Sequence, residues 1–252
     1  MDCEYVLVEA LAQKLAEQCD GLVLPHLIYF HPGATDIGRG TVYMSMTDGG
    51  AYLRAVAQSL LNQGFRRQVY LTAHGPAYQT VMPMVTQFLD ETKVPLFHGD
   101  LMVLMKDAKV EFGGMEAFDE MIYGAYQFLG RLGDVPLGLG SNPAVIEGEA
   151  SDHGHKLPDS LYRELCPKSG GYYTAWKYGN VHEHENKHCP ETPEELEELA
   201  ARGLGHLDRL VEGLEFQKKL DALRELDEFH QKEIMPRYGK WLVRNRLPEP
   251  EV

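Results

Sequence analysis

Several residues in this chain combine the right side-chain types and spacing to do chemistry. His74 stands where an apolar run, Val69-Tyr70-Leu71-Thr72, gives way to Gly75-Pro76, so its imidazole can project from the end of a strand while Gly75 lets the backbone approach a ligand. His98 and Asp100 close a second apolar run in the same way. Further along, Val181-His182-Glu183-His184-Glu185 alternates imidazoles with carboxylates. In an extended segment His182 and His184 would share one face, and Glu183 and Glu185 the other. Such groups bind divalent cations or move protons near neutral pH. Tyr172, Tyr173, Trp176 and Tyr178 just upstream would supply an aromatic wall for a small cyclic substrate.

The elements that must position these residues alternate. A helix is expected from about Glu4 to Gln18, with Leu7, Leu11 and Leu15 on one stripe and a left-handed exit near Asp20-Gly21. The continuous apolar run Leu22-Val23-Leu24-Pro25 is expected as a central parallel strand. A Gly-, Pro- and His-containing loop leads from it to a helix from about Asp48 to Gln63, with Gly64 beyond its end. A strand over Phe65 to Thr72, a helix from about Ala77 to Glu91 and a strand from Val94 to His98 follow. Strand, helix and strand in this order build a parallel sheet whose carboxyl ends lie on one edge, so His74, His98 and Asp100 should open onto the same rim.

The second half is read as a helix from Met115 to Leu132, then a long stretch from Gly133 to Gly179 rich in Gly, Pro, Ser and His. His153 and His155 in that stretch read as loop residues. Thr192-Pro193-Glu194-Glu195 has the cap, the first-turn proline and the glutamate of a helix start, with Leu196, Leu199, Leu207, Leu210, Val211 and Leu214 as the buried stripe. A charged amphipathic helix from Lys218 to Ile234 and a C-terminal tail over 236–252 complete a single domain spanning 1–252.

Composition narrows the function. A formal charge of −14 repels nucleic acid and anionic membrane surfaces, so neither is an expected partner. There is no run of eighteen apolar residues and no basic leader, which leads to a cytoplasmic expectation. Four scattered cysteines without a Cys-x-x-Cys pair read as reduced thiols. Gly-x-Ser-x-Gly, the phosphate-loop pattern, a dinucleotide fingerprint and His-Glu-x-x-His are all missing, which removes support for serine hydrolysis, nucleotide chemistry and a zincin.

The stretch from Gly21 to Gly75 resembles the creatininase (creatinine amidohydrolase) family. It carries Gly40-Thr41, Gly64-Phe65-Arg66-Arg67 and Ala73-His74-Gly75 in the family's order, with Pro76-Ala77 where the family usually has Gly-Asn. The resemblance implies a three-layer α/β fold with a mostly parallel central sheet flanked by helices. It also implies two divalent ions, zinc or manganese, that activate a water for attack on a polarised carbonyl. By the same resemblance His74 takes the place of the histidine ligand of the family's Asn-Gly-His-Gly turn, and Asp2 that of the bridging aspartate. The family's Glu-Gln-His-Gly-type motif would lie before Met1, so a longer natural chain is expected.

The later His-Ala-Gly-x-x-Glu-Thr-Ser pattern is altered here to Phe112-Gly113-Gly114-Met115-Glu116-Ala117-Phe118-Asp119-Glu120. Asp119 continues best into the following helix as the late carboxylate ligand, with Glu116 on the same face and Glu120 beside it. His182 and His184 are then the expected catalytic pair. The implied reaction is hydrolysis of a small polar cyclic or linear amide by a homo-oligomer, a hexamer by resemblance. Alternatives are ring opening of a cyclic ketone such as 3-dehydro-scyllo-inosose, or a non-catalytic member that binds metal or ligand.

Overall fold

The computed structural model describes residues 3–27, 29, 42, 44–74, 77–109, 115–138 and 189–242. Helix α1 spans Cys3–Cys19, and Val6, Leu7, Ala10, Leu11 and Leu15 recur at helical spacing to form its buried stripe. It ends where Asp20 takes a left-handed φ of 50° and Gly21 N–H donates to the Ala16 carbonyl. The next run corrects an expectation. Leu22 to Pro25 forms no strand, and its side chains face outward, with Leu22 81% exposed. A continuous apolar run becomes a central strand only when neighbours pair with it and cover it, and this run has neither among the described residues.

Helix α2 covers Met46–Asn62 and starts earlier than its apolar pattern does, because the Ser45 hydroxyl accepts from Asp48 N–H at 3.0 Å. Gly64 takes φ +93° just past its end. Strand β1 is Val69–Thr72, helix α3 Tyr78–Thr92 and strand β2 Phe97–Asp100. The strand regions expected at Phe65–Thr72 and Val94–His98 are trimmed in the first case and displaced toward the carboxyl end in the second. The two strands pair in parallel, with Val69 opposite Phe97, Tyr70 opposite His98, Leu71 opposite Gly99 and Thr72 opposite Asp100.

A short helix that periodicity did not reveal, α4 (Leu101–Asp107), leaves β2 directly. Helix α5 is Met115–Phe128, α6 Pro193–Leu214 and α7 Phe216–Phe229. A π-type turn over His230–Ile234 joins α7 to α8, Met235–Leu242, so helix enters the stretch expected as tail. At the start of α6 the Thr192 hydroxyl accepts from Glu195 N–H at 3.2 Å, while the Glu195 carboxylate accepts from Glu191 N–H at 2.8 Å. All six residues expected on the α6 stripe are buried.

The strands separate two cores by the period-2 alternation of their side chains. Val69, Leu71, Ala73 and Phe97 pack against the larger core, built from α1, α4, α5, α6 and the start of α7. Tyr70 packs against the smaller one, built from Leu53 and Ala57 of α2 and Val81, Met84 and Phe88 of α3. The described residues are thus mostly helical around a small parallel sheet, an α/β arrangement. No helix among them is long and apolar enough to cross a membrane.

Candidate functional site

The site begins with the strand register. Tyr70, Thr72, His98 and Asp100 occupy alternate positions on the two strands and so share one sheet face, with Thr72 and Asp100 paired at its carboxyl edge. Thr72 Oγ1 lies 3.0 Å from His98 Nε2 and 3.2 Å from Asp100 Oδ2. The other oxygen of Asp100, Oδ1, accepts from Met102 N–H at 3.1 Å and so caps α4. A single carboxylate therefore holds the start of a helix with one oxygen and the threonine with the other. His98 is half-buried, and burial pushes its pKa below the usual imidazole value, opposed by the nearby Asp100 charge.

His74 follows Thr72 by two residues and is partly buried, just past the end of β1. The parallel register puts Asp100 at the carboxyl end of β2, level with Thr72 and two residues short of His74 in β1's direction, whereas His98, expected to end its strand, is its second residue, opposite Tyr70. Thr72 was not singled out from the sequence. Its role depends on a parallel register that no short-range pattern encodes, and the only available signal was a hydroxyl residue at the end of an apolar run.

Asp119 is partly buried on α5, whose Phe118, Met121, Ile122 and Ala125 enter the larger core. Its neighbour Glu120 belongs to an α5–α6 network. Arg202 Nε donates to Glu120 Oε1 at 2.8 Å, and His206 Nε2 lies 3.0 Å from Glu120 Oε2. Arg209 approaches His206 Nδ1 at 2.6 Å. Because guanidinium only donates, Nδ1 is the acceptor there, and the proton on Nε2 points to Glu120. Glu120 is thus committed to helix packing.

Asp2, His182 and His184 lie outside the described residues, as do the aromatic residues 172–178. Among the described residues no three His, Cys, Asp or Glu side chains gather into a set that could hold a metal ion. On their own they do not complete a divalent-ion centre.

A small parallel sheet with imidazole, carboxylate and hydroxyl groups at its carboxyl edge is the general plan of an α/β enzyme site. Residues 1–123 match the family model described as creatininase, creatinine amidohydrolase. Over that stretch, which is just under half of the chain and contains β1, β2 and the whole polar edge, the chain is similar to the creatininase family. No curated protein and no solved structure matches the chain.

Proposed function

We propose that this protein is a metal-dependent hydrolase of the creatininase type that cleaves a small, polar cyclic or linear amide. The observation that carries the reading is the position of His74. It lies within the family match, immediately beyond β1, two residues from the Thr72 hydroxyl that ties His98 to Asp100. Similarity to the family supports a hydrolase. Divalent zinc or manganese, two ions in a complete site, is our extension of it, with His74, Asp119 and Asp2 as ligands and His182 and His184 as acid or base groups. The three-layer fold and a homo-oligomer, hexameric by resemblance, belong to the same proposal.

The test measures bound zinc and manganese by elemental analysis on the purified full chain, together with hydrolysis of creatinine and hydantoin. The expected result is at least about one ion per chain, with both metal and turnover reduced in His74→Ala. Metal below about one ion per chain, unchanged by the substitution and accompanied by no turnover, would overturn the reading. Size-exclusion chromatography with light scattering checks the assembly.

A further inference from the structure

The polar edge assigns a direction to its hydrogen bonds. Thr72 has a single hydroxyl proton and two neighbours, the Asp100 carboxylate at 3.2 Å and His98 Nε2 at 3.0 Å. A carboxylate only accepts, so the hydroxyl proton goes to Asp100, and the contact with His98 must be filled by the ring's own N–H. The neutral ring is therefore the Nε2–H tautomer, and its lone pair is on Nδ1. Among the described residues the ring's one hydrogen bond is the one at Nε2. Asp100 is itself held by Met102 N–H at 3.1 Å. A fixed carboxylate thus orients a hydroxyl, and the hydroxyl orients an imidazole. His74 stands two residues beyond Thr72, within about 7 Å along an extended chain.

We propose that His98 is a catalytic proton-transfer residue, and that Thr72 and Asp100 are positioning residues that hold its Nδ1 lone pair toward the reacting water. This rests on the hydrolase reading above. As the water oxygen bonds to the amide carbon, one of its protons passes to Nδ1. As the carbon–nitrogen bond breaks, the imidazolium returns that proton to the departing nitrogen. The products are a carboxylic acid and an amine, water is the only other reactant, and His98 ends in its starting form.

The experiment compares wild type with His98→Gln, Thr72→Val and Thr72→Ser, using full chains supplied with manganese or zinc and creatinine and hydantoin as probes. For His98→Gln the expected result is a fall in kcat of about 10²- to 10⁴-fold with KM and melting temperature unchanged. For Thr72→Val the fall is about tenfold, and Thr72→Ser restores it. A structural role alone would move KM and melting temperature together with kcat. An active wild type with unaltered kcat in His98→Gln overturns the role of His98 and leaves the hydrolase reading standing. A wild type inactive on every probe overturns the hydrolase reading and the proposal with it. Should His98→Gln fail to fold, the Thr72 pair and long-range ¹H–¹⁵N spectra of the His98 ring decide: Nε2–H is expected, and an Nδ1–H ring overturns the assignment.

Discussion

The backbone at Gly203 presses against the carbonyl of Glu120 so closely that a β-carbon on the glycine would lie 1.7 Å from the Glu120 oxygen. One turn away, a β-carbon on Gly124 would lie 2.2 Å from the Leu204 nitrogen. Helices α5 and α6 therefore cross with backbone against backbone, and the glycines make that approach possible. The Arg202–Glu120–His206 network lies along the same crossing and depends on its spacing.

Gly203→Ala is expected to lower unfolding stability by about 3 kcal/mol or more, because the atom in the way is main chain and has no rotamer by which to yield. Gly205, two residues on, has open space around its β position and is exposed. Gly205→Ala is expected to stabilise by up to about 1 kcal/mol through helix propensity. Urea unfolding of both variants checks the contrast, and equal effects would refute the close crossing.

A second prediction concerns alkaline stability. Burial pushes the Tyr70 phenol up to about 12, and its hydroxyl donates to Gln68 Oε1 at 2.9 Å. A pKa raised by folding means stability is complete below the unfolded value near 10 and is lost as pH rises toward 12. Within that window this group should reduce stability by up to about 1.4 kcal/mol per pH unit. Tyr70→Phe should flatten the loss, and difference absorbance at 295 nm should lack the last tyrosinate step.

Gln68 is buried and donates to the carbonyls of Ala57 at 3.0 Å and Phe65 at 2.9 Å, joining α2 to the approach to β1. Gln68→Leu keeps the volume but strips partners from two carbonyls and from Tyr70. A loss of about 2 kcal/mol or more in denaturant unfolding is expected. A neutral result would show that water reaches these groups.

Thr192→Ala removes the hydroxyl that accepts from Glu195 N–H and should cost about 1 kcal/mol, with Thr192→Ser close to wild type. Thermal melts of the three proteins are sufficient.

Cys19 donates its thiol to the Leu15 carbonyl at 2.9 Å, and burial raises its pKa above the ordinary thiol value, offset in part by Arg67. Thiolate is the reactive form, so alkylation by iodoacetamide at pH 8 should be slow at Cys19 in the folded protein and accelerate in urea. Peptide mass spectrometry reads the site directly.

What could be read from sequence followed the range of the interactions involved. Helices α1 and α6 were legible because their stripes and caps are local: Thr192, Pro193 and Glu195 act within one turn. Leu22 to Pro25 misled because an apolar run does not say whether neighbours will cover it. The heptapeptide of α4 is too short for its period to register, and its start depends on Asp100. At the site, strand order alone placed His98 and Asp100 toward the edge where His74 stands. The Thr72 hydroxyl entered only with the register, which is set across 28 residues. The Gly124–Gly203 crossing joins positions 79 apart in the chain, and neither glycine looks unusual within its own helix.

The division into two cores also imposes an order on synthesis. The smaller core draws on residues between Leu53 and Leu96, with Leu27 packed against them, and a nascent chain has all of them before the later helices emerge. The larger one joins Val6, Leu7 and Leu11 to Leu207, Leu210, Leu214 and Phe216, which leave the ribosome some two hundred residues later. Until then the apolar stripe of α1 is covered by α5 alone among its larger partners, and the rest of that core stays open to chaperones or early aggregation. The sheet edge that carries Thr72, His98 and Asp100 can pair before then, but the face behind it is sealed only once Leu207 to Phe216 have emerged.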